Sequence, residues 1–248
     1  MKILLSGIGG HMGNEVLRLA ENGIRGAKVT AGIDKMGYNG DIPFSASFEN
    51  ASSDVDVIVD FSHHSLTKEL LDFAISKNLP LVLATTGQTD EEKQMIEEAS
   101  KKIPLFFSSN YSLGVALLIE LAKKAASVMT DADIEIVECH HNRKVDAPSG
   151  TALSIAEGIV SVRPELQIHS GRSGFGKREK NEIGISSLRM GNIVGQHEVH
   201  ICTESQCLTI RHEAYSRALF AEGALAAAEF IIGKPAGLYG MSTLLGKA

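Results

Sequence analysis

The sequence predicts an α/β protein: a Rossmann-like doubly wound parallel sheet joined to a second, α+β domain. Three observations predict it. Short apolar runs alternate with helical patterns through the first 110 residues, the rhythm of parallel strands linked by right-handed crossovers. A glycine-rich turn follows the first apolar run directly. Beyond Asn110 the rhythm breaks, and three strand-like runs follow one another with no helix between them.

Taken in order, residues 3–5, 29–33, 55–61, 81–84 and 105–107 are expected strands. The run 55–61 is almost wholly apolar, as suits a central parallel strand covered on both faces. Helices are expected over 12–22, where Val16, Leu17 and Leu19 form the buried side, and over 66–77 and 90–101. The second half opens with a helix over 115–129 and a strand over 134–140, followed by a helix that Ser149 starts. Strands are then expected over 183–189, 198–203 and 207–212. Gly191-Asn192 supplies turn chemistry between the first two, which predicts a largely antiparallel sheet. The stretch 170–181 is glycine-rich and charged and reads as a mobile loop. An alanine-rich helix over 216–232 is expected to return to the first domain. The domains are therefore 1–110 plus 216–248, and 111–215.

Composition narrows the classes of function. A chain of 248 residues with 44% apolar and 22% charged residues is an ordinary globular protein with room for one large or two modest domains. Its net charge of −6 argues against bulk attraction to nucleic acid or to an anionic membrane, so any local cluster of cations serves a local purpose. Three cysteines, at 139, 202 and 207, are odd in number and loosely spaced, which argues against a disulfide framework and suits a reducing cytoplasm. The first residues leave the apolar register too early for a signal peptide, and no apolar run approaches the roughly 18 residues of a membrane span. A cytoplasmic location is expected.

The glycine turn reads Gly7-Ile8-Gly9-Gly10-His11-Met12-Gly13. Glycines there let the backbone turn tightly and approach a pyrophosphate, which sits against the free N–H groups and positive end of the following helix. The usable spacing is Gly7-x-x-Gly10-x-x-Gly13, because Met12 occupies the last position of the stricter pattern. His11 can cover a nucleotide without doing chemistry. Asp34 ends the second strand where an acidic residue accepts from ribose hydroxyls, and Lys35 beside it can accommodate a 2′-phosphate, so NADH and NADPH both remain open. Ala84, Thr85 and Thr86 follow the fourth strand, and Ser108, Ser109, Asn110 and Tyr111 the fifth. Both loops fall at the carboxyl edge where ligands of such sheets bind. His63-His64 reads as a polar loop bordering the cofactor.

Residues 138–153 carry the densest chemistry. Alternation along a strand puts Ile134, Ile136, Glu138 and His140 on one face and sends His141 to the other with Cys139. That divergence argues against a shared metal. Proton transfer fits better, since imidazole titrates near neutral pH. Lys144, with Arg143 nearby, can pair with a carboxylate, and Pro148-Ser149-Gly150-Thr151 offers helix N-terminal amides as a second anion cradle. A dicarboxylate held there would lie beside His140 or His141.

These residues resemble the dihydrodipicolinate reductase family, whose members are also described as 4-hydroxy-tetrahydrodipicolinate reductases. The resemblance runs nearly end to end. Its most specific part is Glu138-x-His140-His141-x-x-Lys144-x-Asp146-Ala147-Pro148-Ser149-Gly150-Thr151-Ala152. Gly7 to Gly13, Thr85-Thr86-Gly87, Asn110-Tyr111-Ser112, the stretch from Arg189 to His197 and Ser216-Arg217 also fit.

The resemblance implies His140 as catalytic acid and Lys144 as a second proton-donating, substrate-binding residue. His141, Gly150 and Thr151 would hold the substrate carboxylates. Gly7, Ile8, Gly9, Gly10, His11, Met12, Asp34, Lys35, Ala84, Thr85, Thr86, Ser108, Ser109, Asn110 and Tyr111 would meet the cofactor. It implies NADH- or NADPH-dependent reduction of 4-hydroxy-tetrahydrodipicolinate, a dicarboxylate, in diaminopimelate and lysine biosynthesis. It also implies a homotetramer assembled through the second domain and domain closure over the substrate, while the residues themselves argue against a metal and against a nucleic-acid or membrane partner. Two rival readings are a dehydrogenase of another amino or hydroxy acid, and a redox-sensing nucleotide-binding protein without catalysis. The first gives no reason for the anion site at 140–151, and the second lacks a basic stripe or recognition helix.

Overall fold

In the computed structural model, which describes residues 1–246, the chain divides into two units. The first contains residues 1–112 and the chain from Ala218 onward, and the second Leu113–Arg217.

The first unit is built on strands β1 (Lys2–Ser6), β2 (Lys28–Ile33), β3 (Phe44–Ser45), β4 (Val57–Asp60), β5 (Leu81–Leu83) and β6 (Pro104–Phe107), with β12 (Gly237–Tyr239) added late in the chain. All pairings are parallel, in the order β12-β6-β5-β4-β1-β2-β3. The chain therefore builds outward from β1 in one direction, then restarts at β4 and builds in the other. The reversal between β1 and β4 is the point where open α/β sheets leave a crevice.

Strands β1, β4 and β5 are buried on both faces, which explains their unbroken apolar sequences. On one face Leu4, Ile58, Leu81, Leu83 and Leu105 pack with Leu70 and Phe73 of α2 (Thr67–Ser76) and Ile96 of α3 (Asp90–Ser100). Thr89 starts α3 with a capping box to Glu92, satisfying two amides at once. Helix α1 (His11–Glu21) packs with α6 (Ala218–Ile231), and α6 also covers β4, β5 and β6. Small residues let α6 approach closely: a Cβ at Gly223 would overlap the Tyr111 carbonyl oxygen. Helix α7 (Met241–Leu244) follows β12. No helix among the described residues is long and apolar enough to cross a membrane.

The second unit contains α4 (Leu113–Val128), β7 (Asp133–His140), α5 (Gly150–Val160), β8 (Gln167–Ser170), β9 (Glu182–Arg189), β10 (Gly195–Cys202) and β11 (Cys207–Ala214). Its sheet runs β11-β10-β7-β9-β8. Ile134, Ile136, Ile183, Ile185, Val199 and Ile201 line one face and pack against Leu118 and Ala122 of α4 and Ala152, Ile155 and Ile159 of α5.

Two expectations need correction here. The sheet is mixed rather than largely antiparallel: β10 runs antiparallel to β7 and β11, whereas β9 is parallel to both β7 and β8. Gly191-Asn192 therefore does not turn a hairpin, because β9 and β10 flank β7 on opposite sides. Their connection crosses the end of β7 instead. There Met190 N donates to His140 O (2.9 Å), His141 N to Ile193 O (2.8 Å) and Asn142 N to Gly191 O (3.3 Å). Alternation marks which face of a strand is buried but carries no record of its neighbour, so successive strands need not pair.

The cysteines are the second correction. Cys202 and Cys207 stand opposite each other at the end of the β10–β11 hairpin, Cα atoms 4.0 Å apart, and form a disulfide. Their spacing is set by a hairpin turn closed by Thr203 N donating to Gln206 O. Cys139 remains free and buried.

Candidate functional site

The first unit collects its polar loops at the carboxyl edge of the parallel sheet. Gly7 takes a left-handed conformation (φ 80°), and its N–H donates to Ile33 O at 2.8 Å, which joins the turn to the end of β2. A Cβ at Gly13 would overlap the carbonyl oxygens of Gly7 and Ile8, and one at Gly7 the carbonyl of Phe61. Only glycine lets the turn sit this close to its neighbours. Helix α1 begins at once, with Gly10 as its cap and no acidic residue of its own in the first turn. His11 is exposed and Met12 half-buried there.

Asp34 closes the other side of this turn. Its carboxylate accepts from Gly9 N at 2.9 Å and from Met36 N at 2.8 Å. Lys35 extends into solvent, 3.6 Å from Glu69. Thr85 is buried and donates to Asp60 Oδ2 at 2.6 Å, while Thr86 is exposed. Asp60, also buried, accepts from the Ser62 hydroxyl at 2.6 Å; burial raises its pKa against the pull of these hydroxyls. Ser108 Oγ donates to Asn110 O at 2.8 Å and Asn110 Oδ1 accepts from Ser112 N at 2.8 Å, so the loop is internally braced. Ser109 is exposed and Ala84 is buried.

Tyr111 departs from its expected place. Its ring lies in the core and its hydroxyl reaches the carbonyls of Leu83 (2.8 Å) and Phe106 (3.2 Å), so only its backbone remains for a ligand. His63 accepts from Ser65 N at its Nδ1, and His64 Nδ1 lies 3.1 Å from both carboxylate oxygens of Glu92. These two histidines are loop braces.

The cradle fits a dinucleotide: glycines that admit nothing larger, an open helix N-terminus and a carboxylate at the end of β2.

In the second unit the end of β7 holds Glu138 and His140 on one face, both buried. His140 Nδ1 is 2.5 Å from Glu138 Oε2. Arg189, at the end of β9, grips the same carboxylate at two points: Nη1 to Oε2 at 2.9 Å and Nη2 to Oε1 at 2.7 Å. The fourth donor is Ser149 N, 3.2 Å from Oε1. Burial would raise the Glu138 carboxyl, but hydrogen bonds from Arg189, Ser187 and His140 outweigh it and hold its pKa at about 2.

Ser149 caps α5 with its hydroxyl, accepting from Ala152 N at 3.2 Å. The same hydroxyl lies 3.2 Å from Nε2 of His197, on β10, whose ring is edge-on to His140. Burial, then the neighbouring His140, pushes His197 down to about 4. Gly150 is exposed at the start of α5, with Thr151 half-buried after it. Beyond β7, Lys144 Nζ pairs with Asp146 at 2.7 Å, and Arg143 donates to Asn192 at 2.6 Å. His141 is half-buried, its pKa lowered by burial and by Arg143, Arg217, His140 and Lys144.

Glu138, Arg189, Ser149 and His197 thus join the expected His140. Glu138-x-His140 spacing already placed two of these on one face. Arg189 and His197 arrive only through strand pairing, opposite His140 and Glu138 respectively, and local sequence gives no sign of that.

Comparison with known proteins bears on both units. Residues 1–111 match the family model described as dihydrodipicolinate reductase, N-terminus, and 114–245 the one described as dihydrodipicolinate reductase, C-terminus. The chain is 43% identical to the 4-hydroxy-tetrahydrodipicolinate reductase of Caldanaerobacter subterraneus subsp. tengcongensis, covering 100% of this chain and 99% of that one. Identity to the Clostridium tetani protein of the same name is 44%, over 99% and 97% of the two chains. Among solved structures, dipicolinate-bound dihydrodipicolinate reductase from Paenisporosarcina sp. TG-14 superposes with a TM-score of 0.83 at 26% identity, over 98% of each chain.

Proposed function

The chain belongs to the dihydrodipicolinate reductase family, and from that premise we propose how its own residues divide the work. It is an NAD(P)H-dependent oxidoreductase that reduces 4-hydroxy-tetrahydrodipicolinate to tetrahydrodipicolinate, with loss of water, in diaminopimelate and lysine biosynthesis. One reduced cofactor and one proton are consumed for each substrate, and water leaves.

The bound nicotinamide cofactor supplies the hydride that C4 of the dehydrated ring receives. Gly7, Ile8, Gly9, Gly10, His11 and Met12 hold its pyrophosphate through backbone amides and the α1 terminus. Asp34 accepts from its adenosine ribose, and Ala84, Thr85, Thr86, Ser108, Ser109, Asn110 and the Tyr111 backbone line its nicotinamide half. The carboxylate at Asp34 and the counter-charge of Glu69 on Lys35 both oppose a 2′-phosphate, so NADH is the preferred form.

His140 donates the proton that completes the reduction at C3, from Nε2, because Nδ1 is committed to Glu138. Lys144 and His141 hold one carboxylate of the substrate, with Lys144 as a second proton donor. Gly150 and Thr151 hold the other through the first amides of α5, where the helix dipole favours an anion. The observation that carries this division is a single shared carboxylate: Glu138 bonds both the proton donor and the cap residue of the anion-binding helix.

The assembly is a cytoplasmic homotetramer in this reading. Support comes from the face of the second sheet turned away from α4 and α5, where Leu188 is 43% exposed and charged Glu198 and Arg211 lie side by side. Kinetics of NADH consumption with substrate generated in situ test the activity, and sedimentation tests the assembly. A catalytically competent monomer would remove the tetramer.

A further inference from the structure

Glu138 has no exposed surface, and its two oxygens accept from His140, from Ser149 N and, at two points, from Arg189. It therefore has no room for substrate. A buried ion pair is also a poor device for stability alone, since apolar residues of similar volume serve as well or better. What the pair does achieve is geometric. An ionised carboxylate only accepts, so the hydrogen between it and His140 sits on Nδ1. Proton exchange at His140 is thereby confined to Nε2. Gly195 leaves that nitrogen clear: a Cβ there would stand 3.1 Å from it.

From this geometry we infer that Glu138, clamped by Arg189, is a positioning residue that fixes His140 as an Nε2 proton donor and registers it to the N-terminus of α5. The inference rests on the reading of His140 as the acid. Charged and titratable groups stand around the pair from every side: Arg189 on β9, His197 on β10 with His212 of β11 near it, and His141, Lys144 and Asp146 on the loop after β7. None of these others bonds the ring of His140 among the described hydrogen bonds, whereas Glu138 does.

The test is kcat against pH for the wild type, Glu138→Gln, His140→Gln and the double variant, with thermal melting and NADH affinity as controls for folding of the two units. Glu138→Gln should lower kcat about 10- to 100-fold, with NADH affinity unchanged, and move the alkaline limb of the profile to lower pH. The double variant should be no more than about twofold slower than His140→Gln, because a residue acting through His140 has nothing left to act on. Losses that multiply, or an unmoved pH profile in Glu138→Gln, would make Glu138 a merely structural residue and overturn the inference. Wild-type turnover in His140→Gln would instead remove His140 as the acid, a separate failure. Should Glu138→Gln lose NADH binding, Glu138→Asp enters the same additivity comparison with its charge kept and its reach shortened.

Discussion

His197 presents its ring edge-on to His140, centroids 5.2 Å apart, and meets the Ser149 hydroxyl through Nε2 at 3.2 Å. The hydroxyl already accepts from Ala152 N, leaving its own proton for the imidazole. Burial holds His197 neutral down to about pH 4, well below the ordinary histidine value of 6.5. In the unfolded chain the ring binds a proton below pH 6.5, whereas the folded protein refuses it until about 4. Folding stability therefore falls as pH drops through that window, by roughly 3 kcal/mol at its lower end. Urea midpoints measured from pH 7 to 4 should show the decline, and His197→Asn should flatten much of it. His141 and His212, also held low, retain the remainder. An identical slope in the variant would refute a neutral, buried His197.

Glu138 extends the same decline to lower pH. Its folded value of about 2 lies below the unfolded 4.5, so its contribution is present above pH 4.5 and disappears as pH falls toward 2. The stability of the second unit should thus fall through two successive pH windows, which urea midpoints carried on from pH 4 toward pH 2 would show as a continued decline.

His140→Gln should lower kcat by about 100-fold or more while NADH affinity stays near wild type, the scale of a lost general acid. Single-turnover rates check it directly.

Lys144→Ala withdraws the cation that Asp146 now holds at 2.7 Å. With substrate bound, the ammonium is expected to exchange that partner for a substrate carboxylate. The variant should therefore raise KM and lower kcat, each by about tenfold. A wild-type KM would place the substrate carboxylate elsewhere.

Asp34 ties Gly9 N and Met36 N together with one carboxylate. Asp34→Asn should shift the ratio of NADH to NADPH affinity by roughly tenfold toward NADPH, since a repulsive charge leaves the 2′ position. Paired titrations of both cofactors decide it.

Much of this was legible in the sequence for physical reasons. The doubly wound sheet follows from strands that are apolar on both faces, and the cradle from glycines that no side chain can replace. Glu138 and His140 share a face because a strand alternates. What stayed hidden depends on pairing across the chain. Arg189 and His197 lie 49 and 57 residues beyond His140, and only the register of β9 and β10 against β7 brings them to it. For the same reason the mixed sheet, the edge strands β3, β8 and β12, and the Cys202–Cys207 pair leave no local mark in the sequence. Tyr111 shows the converse limit, a polar residue in the right loop whose hydroxyl turns inward to backbone carbonyls.

The most direct test mixes the purified protein with NADH and with 4-hydroxy-tetrahydrodipicolinate generated in place from its precursors, following the absorbance of the reduced nicotinamide. The account predicts that NADH is consumed in step with the substrate formed and that His140→Gln consumes it far more slowly. NADH that binds to the wild type but is not oxidised would contradict it.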